Sequence, residues 1–189
     1  MRCFAIACIL FVPALWTPVH AEVYDRIAVA VGNRAIKESQ INSELRVTDF
    51  LNNAPLDLSA AAKRKAADHL IDQTLIRGEM ARGSYGAPSD AEVNDVLARV
   101  KKTKFHSDAD YQKALSRYGL SESELRSHLA WQLQVLRFID ARFAPAVRMR
   151  AAKNTRPDIL EERVNTEFFA WLDEARARAH IQFHEEAFQ

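Results

Sequence analysis

Residues 121–143 constrain the fold more than any other part of this sequence. Wound as a helix, they carry Leu125, Leu129, Leu133, Leu136 and Ile139 on one face, and Trp131, Val135, Phe138 and Arg142 on another. A helix with two apolar faces is either covered on both sides or leaves one side lining a crevice. Such a helix belongs at the centre of a bundle. Ser121-Glu-Ser-Glu124 in front of it is a capping box, and Pro145 is expected to end it.

The rest of the chain supplies helices to surround it. A helix is expected from about Ser39, with Ile41, Leu45 and Thr48 at helical spacing, until Asn52-Asn-Ala-Pro55 stops it. Ser59 caps a long helix reaching about Arg82, with a stripe of Ala67, Leu70, Ile71, Thr74, Leu75 and Gly78. Ser89-Asp-Ala-Glu92 opens another, with Val93, Val96, Leu97 and Val100 inward, and Ser107 a short one ending at Tyr118-Gly119. From Pro157 or Asp158, the residues Leu160, Val164, Phe168, Trp171, Leu172 and Ala175 form the stripe of a last helix.

Strands are expected only at the two ends. In Arg26-Ile-Ala-Val-Ala-Val31, alternation sets Ile27, Val29 and Val31 on one side, and Gly32-Asn33-Arg34 turns the chain back through Ala35-Ile-Lys37. Ala179-His-Ile-Gln-Phe183 alternates again. A hairpin alone is marginal in water, so the terminal strand is expected to join it in one small sheet. The fold class is therefore mainly α: a multi-helix core with a small sheet built from the N-terminal hairpin and the C-terminal strand.

Residues 1–21 read as a secretory signal peptide. Arg2 precedes an apolar run from Cys3 to Leu15, and Val19-His-Ala21 offers small residues for cleavage after Ala21. Pro13 and Pro18 make the run a poor membrane span, and no later stretch is long and apolar enough for one. The mature chain would start at Glu22 in the periplasm. It would have no cysteine, because Cys3 and Cys8 leave with the leader. It must therefore hold together by its apolar core. The whole chain has 26 basic and 25 acidic residues, which gives no electrostatic case for nucleic-acid binding.

No catalytic motif emerges. His180 and His184 stand four apart, but on or beyond a strand, where that spacing does not converge on a metal. A nucleophile elbow, a Gly-rich phosphate loop and a cysteine nucleophile are absent from the mature sequence. The carboxylates sit at helix starts and on polar faces. Arg148, Arg150, Lys153 and Arg156 lie in 144–157, which reads as a basic linker.

Several stretches taken in order resemble the N-terminal domain of the SurA/PrsA/PpiD-type parvulin chaperones. They are Arg26-Ile-Ala-Val-Ala-Val-Gly-Asn33, Lys37-Glu-Ser-Gln40, His69-Leu-Ile-Asp-Gln-Thr-Leu-Ile76, Gly86-Ala-Pro-Ser-Asp-Ala-Glu-Val93 and Tyr118-Gly-Leu-Ser-Glu-Ser-Glu-Leu125. Phe168-Phe-Ala-Trp-Leu172 and Ala179-His-Ile-Gln-Phe183 look like the C-terminal helix and strand of that family. Its members usually carry prolyl-isomerase domains between these two parts. Here only 144–156 occupies that place, too short for a folded domain of roughly 50 residues.

The resemblance implies one chaperone domain over 22–189: an N-terminal part (22–143), a linker in place of the isomerase (144–157) and a closing helix and strand (158–189). It implies a holdase without catalysis or cofactor, binding unfolded exported or outer-membrane proteins in an apolar crevice. Trp131, Val135 and Phe138 are the expected peptide-binding residues, with core packing as the competing role for that face. Two other functions stay open: a structural or adaptor protein pairing with itself or with a separate parvulin, and a prolyl isomerase by family label. The short linker also lets the last helix dock on a neighbouring chain, giving a swapped homodimer.

Overall fold

A computed structural model describes residues 25–189. The signal-peptide expectation and its cleavage point at Ala21 lie outside the described residues. Strands β1 (Ile27–Val31) and β2 (Arg34–Lys37) form an antiparallel hairpin, with Gly32 at positive φ in the turn. Helices follow: α1 (Glu38–Asn52), α2 (Ala60–Met80), α3 (Asp90–Lys104), α4 (Asp108–Tyr118), α5 (Glu122–Arg150) and α6 (Pro157–Arg178). Strand β3 (Ile181–Phe183) and a 3₁₀ turn (Glu185–Phe188) close the chain. The sheet order is β2-β1-β3, so the terminal strand joins the hairpin as expected and β1 is central.

The serines set the helix starts. The side chains of Ser59, Ser89, Ser107 and Ser121 each accept a hydrogen bond from a backbone N–H in the first turn of α2, α3, α4 and α5. Ser89–Glu92 and Ser121–Glu124 complete capping boxes.

Two expectations about local structure need correction. The alternation in β1 is broken by a bulge between Ile27 and Val29: Ala28 and Val29 are both buried and Ile27 is left exposed. Pro145 does not end α5, which runs on to Arg150. Pro145 forfeits one hydrogen bond to the preceding turn, but Ala144 and Val147 on either side of it are buried. The connection to α6 is therefore residues 151–156 alone.

Three apolar clusters fill the interior. The sheet, the start of α1, the first half of α2 and the 3₁₀ turn share Val29, Ile41, Ala67, Ile71 and Phe188. The end of α1, with α3, α4 and the start of α5, encloses Phe50, Tyr111, Leu115, Leu125 and Leu129. The second halves of α2 and α5 meet α6 around Ile76, Met80, Phe138, Phe143, Phe168 and Leu172. Helix α2 serves two of these clusters, so it buries Ile76 and Met80 outside the stripe that its sequence suggests. Arg176 on α6 ties the two helices further, pairing with Asp72 and donating to the Asp68 carbonyl on α2.

Candidate functional site

The two-faced helix α5 divides along its length. Near its start the first face is roofed by α1, α3 and α4, and Leu125 and Leu129 are buried. Two turns further on that roof has ended, and Leu136 stands 63% exposed. On the second face the order is reversed. Phe138 is fully buried, ringed by Tyr85, Phe143 and Trp171 at centroid distances of 5.1, 5.8 and 5.7 Å. Phe138 is thus a core residue whose ring is out of reach of a surface ligand. Trp131, itself buried in the same cluster, and the half-buried Val135 also line an open cavity of about 520 Å³ between α1, α2 and α5.

The position of each wall residue has a local cause. Trp131 packs in the same cluster as Ile76, and the Arg77 guanidinium lies 3.8 Å from its ring centroid, fixing its orientation. Val135 is half-buried one turn on, and Leu136 forms the lip. Glu44 and Thr48 from α1, and His69, Gln73 and Ile76 from α2, complete the walls.

The cavity continues in both directions. Glu44, Thr48 and His69 also line a second hollow of about 490 Å³, which runs between α1 and α2 past Leu45 and Ala66. Leu136 is shared with a third, of about 340 Å³, between α5 and α6 over Ile139, Leu160 and Val164. Through these shared residues the three hollows adjoin as a surface groove with apolar stretches and a polar middle, an outline that suits an extended segment better than a compact small molecule.

That polar middle is an ordered network. His128 Nδ1 and Glu44 Oε2 are 3.8 Å apart, and Gln73 Nε2 donates to Glu44 Oε1 at 3.2 Å. The amide nitrogen of Gln132 lies 3.0 Å from His128 Nε2. As a donor it leaves Nε2 the acceptor and places the imidazole proton on Nδ1, toward Glu44. Burial pushes the His128 pKa below the ordinary histidine value, with Glu44 opposing in part. Burial also raises the Asp72 pKa, against the opposing pull of Arg176. No cluster of His, Cys, Asp and Glu suited to a metal ion occurs among the described residues.

Of the three residues singled out from the sequence, Trp131 and Val135 therefore come together at the groove and Phe138 does not. Leu136, from the other apolar face of the helix, is the most exposed apolar group on the lip. The α1 and α2 walls were not anticipated. The only sequence signal for them was the polar pair Asp72-Gln73 set against Ile76 in an otherwise apolar stretch.

No protein-family model matches the chain. A curated relative, Chaperone SurA of Pseudomonas aeruginosa, is 27% identical over 135 residues, which cover 69% of this chain and 32% of that protein. This chain is similar to part of a chaperone. It spans about a third of the length of the relative it matches. The likeness agrees with the resemblance carried by the motifs above.

Proposed function

We propose that the chain is an exported periplasmic chaperone of the holdase kind. It sequesters extended apolar segments of unfolded polypeptides, including outer-membrane proteins, in the α1–α2–α5 groove and releases them without chemistry. The observation that carries this reading is Leu136. A large apolar side chain is left in water where two cavities meet, beside a wall of Trp131 and Val135. Covering such surface with a client's side chains yields about 25 cal/mol per Å². The polar middle supplies donors and acceptors for the backbone of an extended chain, so affinity need not depend on one sequence.

The likeness to Chaperone SurA supports the same reading, for a third of that protein's length. Export rests on the layout of residues 1–21. The pairing of β3 with β1 and the docking of α6 on α5 support treating 22–189 as one domain.

The test is suppression of aggregation of a chemically denatured client by the purified chain. The wild type should suppress it, and Leu136→Glu should suppress it poorly while melting at an unchanged temperature. Folded wild-type protein that leaves aggregation unaffected would favour the adaptor reading. Acceleration of a cis-prolyl peptide assay that titrates with the protein would favour an enzyme.

A further inference from the structure

Helix α2 has a second functional-looking face. Residues 69, 72, 73 and 76 turn toward the groove, whereas Leu75, Gly78 and Arg82 project from the opposite side at helical spacing. There a separate cavity of about 280 Å³ lies between the β1–β2 turn, α2 and α6. Its apolar walls include Val31, Leu75 and Trp171, and its rim carries Arg34, Arg82 and Arg178.

The rim has more positive charge than it neutralises. Arg34 makes no ion pair among the described residues, and its guanidinium reaches only the Thr74 carbonyl, at 3.5 Å. Arg82 and Arg178 pair with Glu79 and Glu174, at 3.3 and 3.2 Å; both arginines and Glu174 are mostly in water, whereas Glu79 is largely covered. The exposed Arg178–Glu174 pair is weak and easily exchanged. Glu79 is the only carboxylate on the lining and also faces Arg142, at 3.8 Å. The Arg77 pKa is lowered, first by burial and then by the nearby charge of Arg34.

Gly78 is an independent pointer. A glycine inside a helix costs about 1 kcal/mol relative to alanine. Here no packing reason offsets that cost, because a Cβ built at Gly78 meets nothing within 4 Å. The missing side chain keeps open the floor of a cavity rimmed by arginine.

We propose that this cavity binds the C-terminal end of a client polypeptide, its free carboxylate on Arg34 and the neighbouring arginines and its last apolar side chain against Leu75 and Trp171. Guanidinium forks match a carboxylate in a bidentate fashion. At about 280 Å³ the cavity lies at the lower limit for ligand pockets, which suits an end group rather than a whole small molecule or a lipid chain. The site would anchor a chain by its terminus while the groove on the other face of α2 holds its interior. The proposal rests on the reading of the protein as a polypeptide binder.

The experiment uses the full chain and an acetylated Gly/Ser pentapeptide ending in phenylalanine, prepared with a free carboxylate and as the amide. The free acid should bind at least about tenfold more tightly, the range of a charge-assisted hydrogen bond. Gly78→Leu, which fills the floor, and Arg34→Gln, which removes the unpaired charge, should each abolish that preference without lowering the melting temperature. Leu136→Glu should keep the preference while failing to suppress aggregation, so failure of the groove and failure of this site are separable. Equal binding of acid and amide would overturn the proposal. So would a preference that survives both Gly78→Leu and Arg34→Gln, or competition by inorganic phosphate as effective as that by the peptide. If Gly78→Leu does not fold, Arg34→Gln alone decides.

Discussion

Glu44 and His128 face each other at 3.8 Å across the middle of the groove, each with little more than a tenth of its side chain exposed. His69 and Asp72 from α2 line the same cavity. Burial holds the imidazole neutral below the pH at which an exposed histidine titrates. An unfolded histidine takes up its proton near about pH 6.5. Below that value the unfolded chain binds more protons than the folded one, so stability falls with pH until the folded pKa is passed. Above it both states are neutral and the effect vanishes. Melting temperatures from about pH 7.5 to about pH 5.5 should decline in the wild type and less steeply in His128→Gln.

A second acid limb is expected from Glu92. Its carboxylate accepts from the Ser89 N–H and hydroxyl, both at 2.8 Å, and pairs with Arg137. These partners hold its pKa down to about 2, against an ordinary 4.5. A depressed carboxylate contributes stability above its unfolded pKa and loses it as pH falls toward the folded one. Urea midpoints measured from about pH 5 to about pH 3 should drop less in Glu92→Gln than in the wild type.

Phe138 and Leu136 are two residues apart and should behave oppositely. Phe138→Ala opens a void among Tyr85, Phe143 and Trp171, and should cost about 3–5 kcal/mol. Leu136→Ser should stay within about 0.5 kcal/mol and weaken client binding instead. Thermal melts and a client-binding titration on both variants check this.

Pro145→Ala should stabilise the protein. It restores a donor to the turn before it and removes a ring clash, in a helix that already continues to Arg150. Interior proline costs about 3 kcal/mol, which sets the upper bound of the gain. A melting temperature above wild type is the expected readout, and an unchanged one would mean that the local backbone has adapted to the ring.

Much of this architecture was legible in the sequence, for identifiable reasons. The capping serines announce helix starts because a side-chain oxygen there satisfies local donors, and local chemistry is written in adjacent residues. The union of the two chain ends was legible because a lone hairpin needs a third strand. Whatever depended on partners distant in the chain was hidden. Ala28 is buried through a bulge that only its pairing partner reveals. Ile76 and Met80 are buried because α6 comes to lie there. Pro145 is tolerated because Ala144 and Val147 find cover. Ala187 and Phe188, which close the first cluster from a 3₁₀ turn, carried no periodic signal. At the groove, Val135 was legible as apolar surface beyond the core, while Trp131 is buried in the third cluster and also lines the cavity. Which part of that face stays open was decided by where α6 and Tyr85 cover Phe138.

The pairing of β1 with β3, Val29 opposite Phe183, joins segments far apart in the sequence, and closing so long a loop is slow. Val29, Ile41 and Ala67 share one cluster with Ala187 and Phe188 of the 3₁₀ turn that follows β3. Without Ile181–Phe183 and the 3₁₀ turn, that apolar surface would face water and one edge of β1 would be left unpaired.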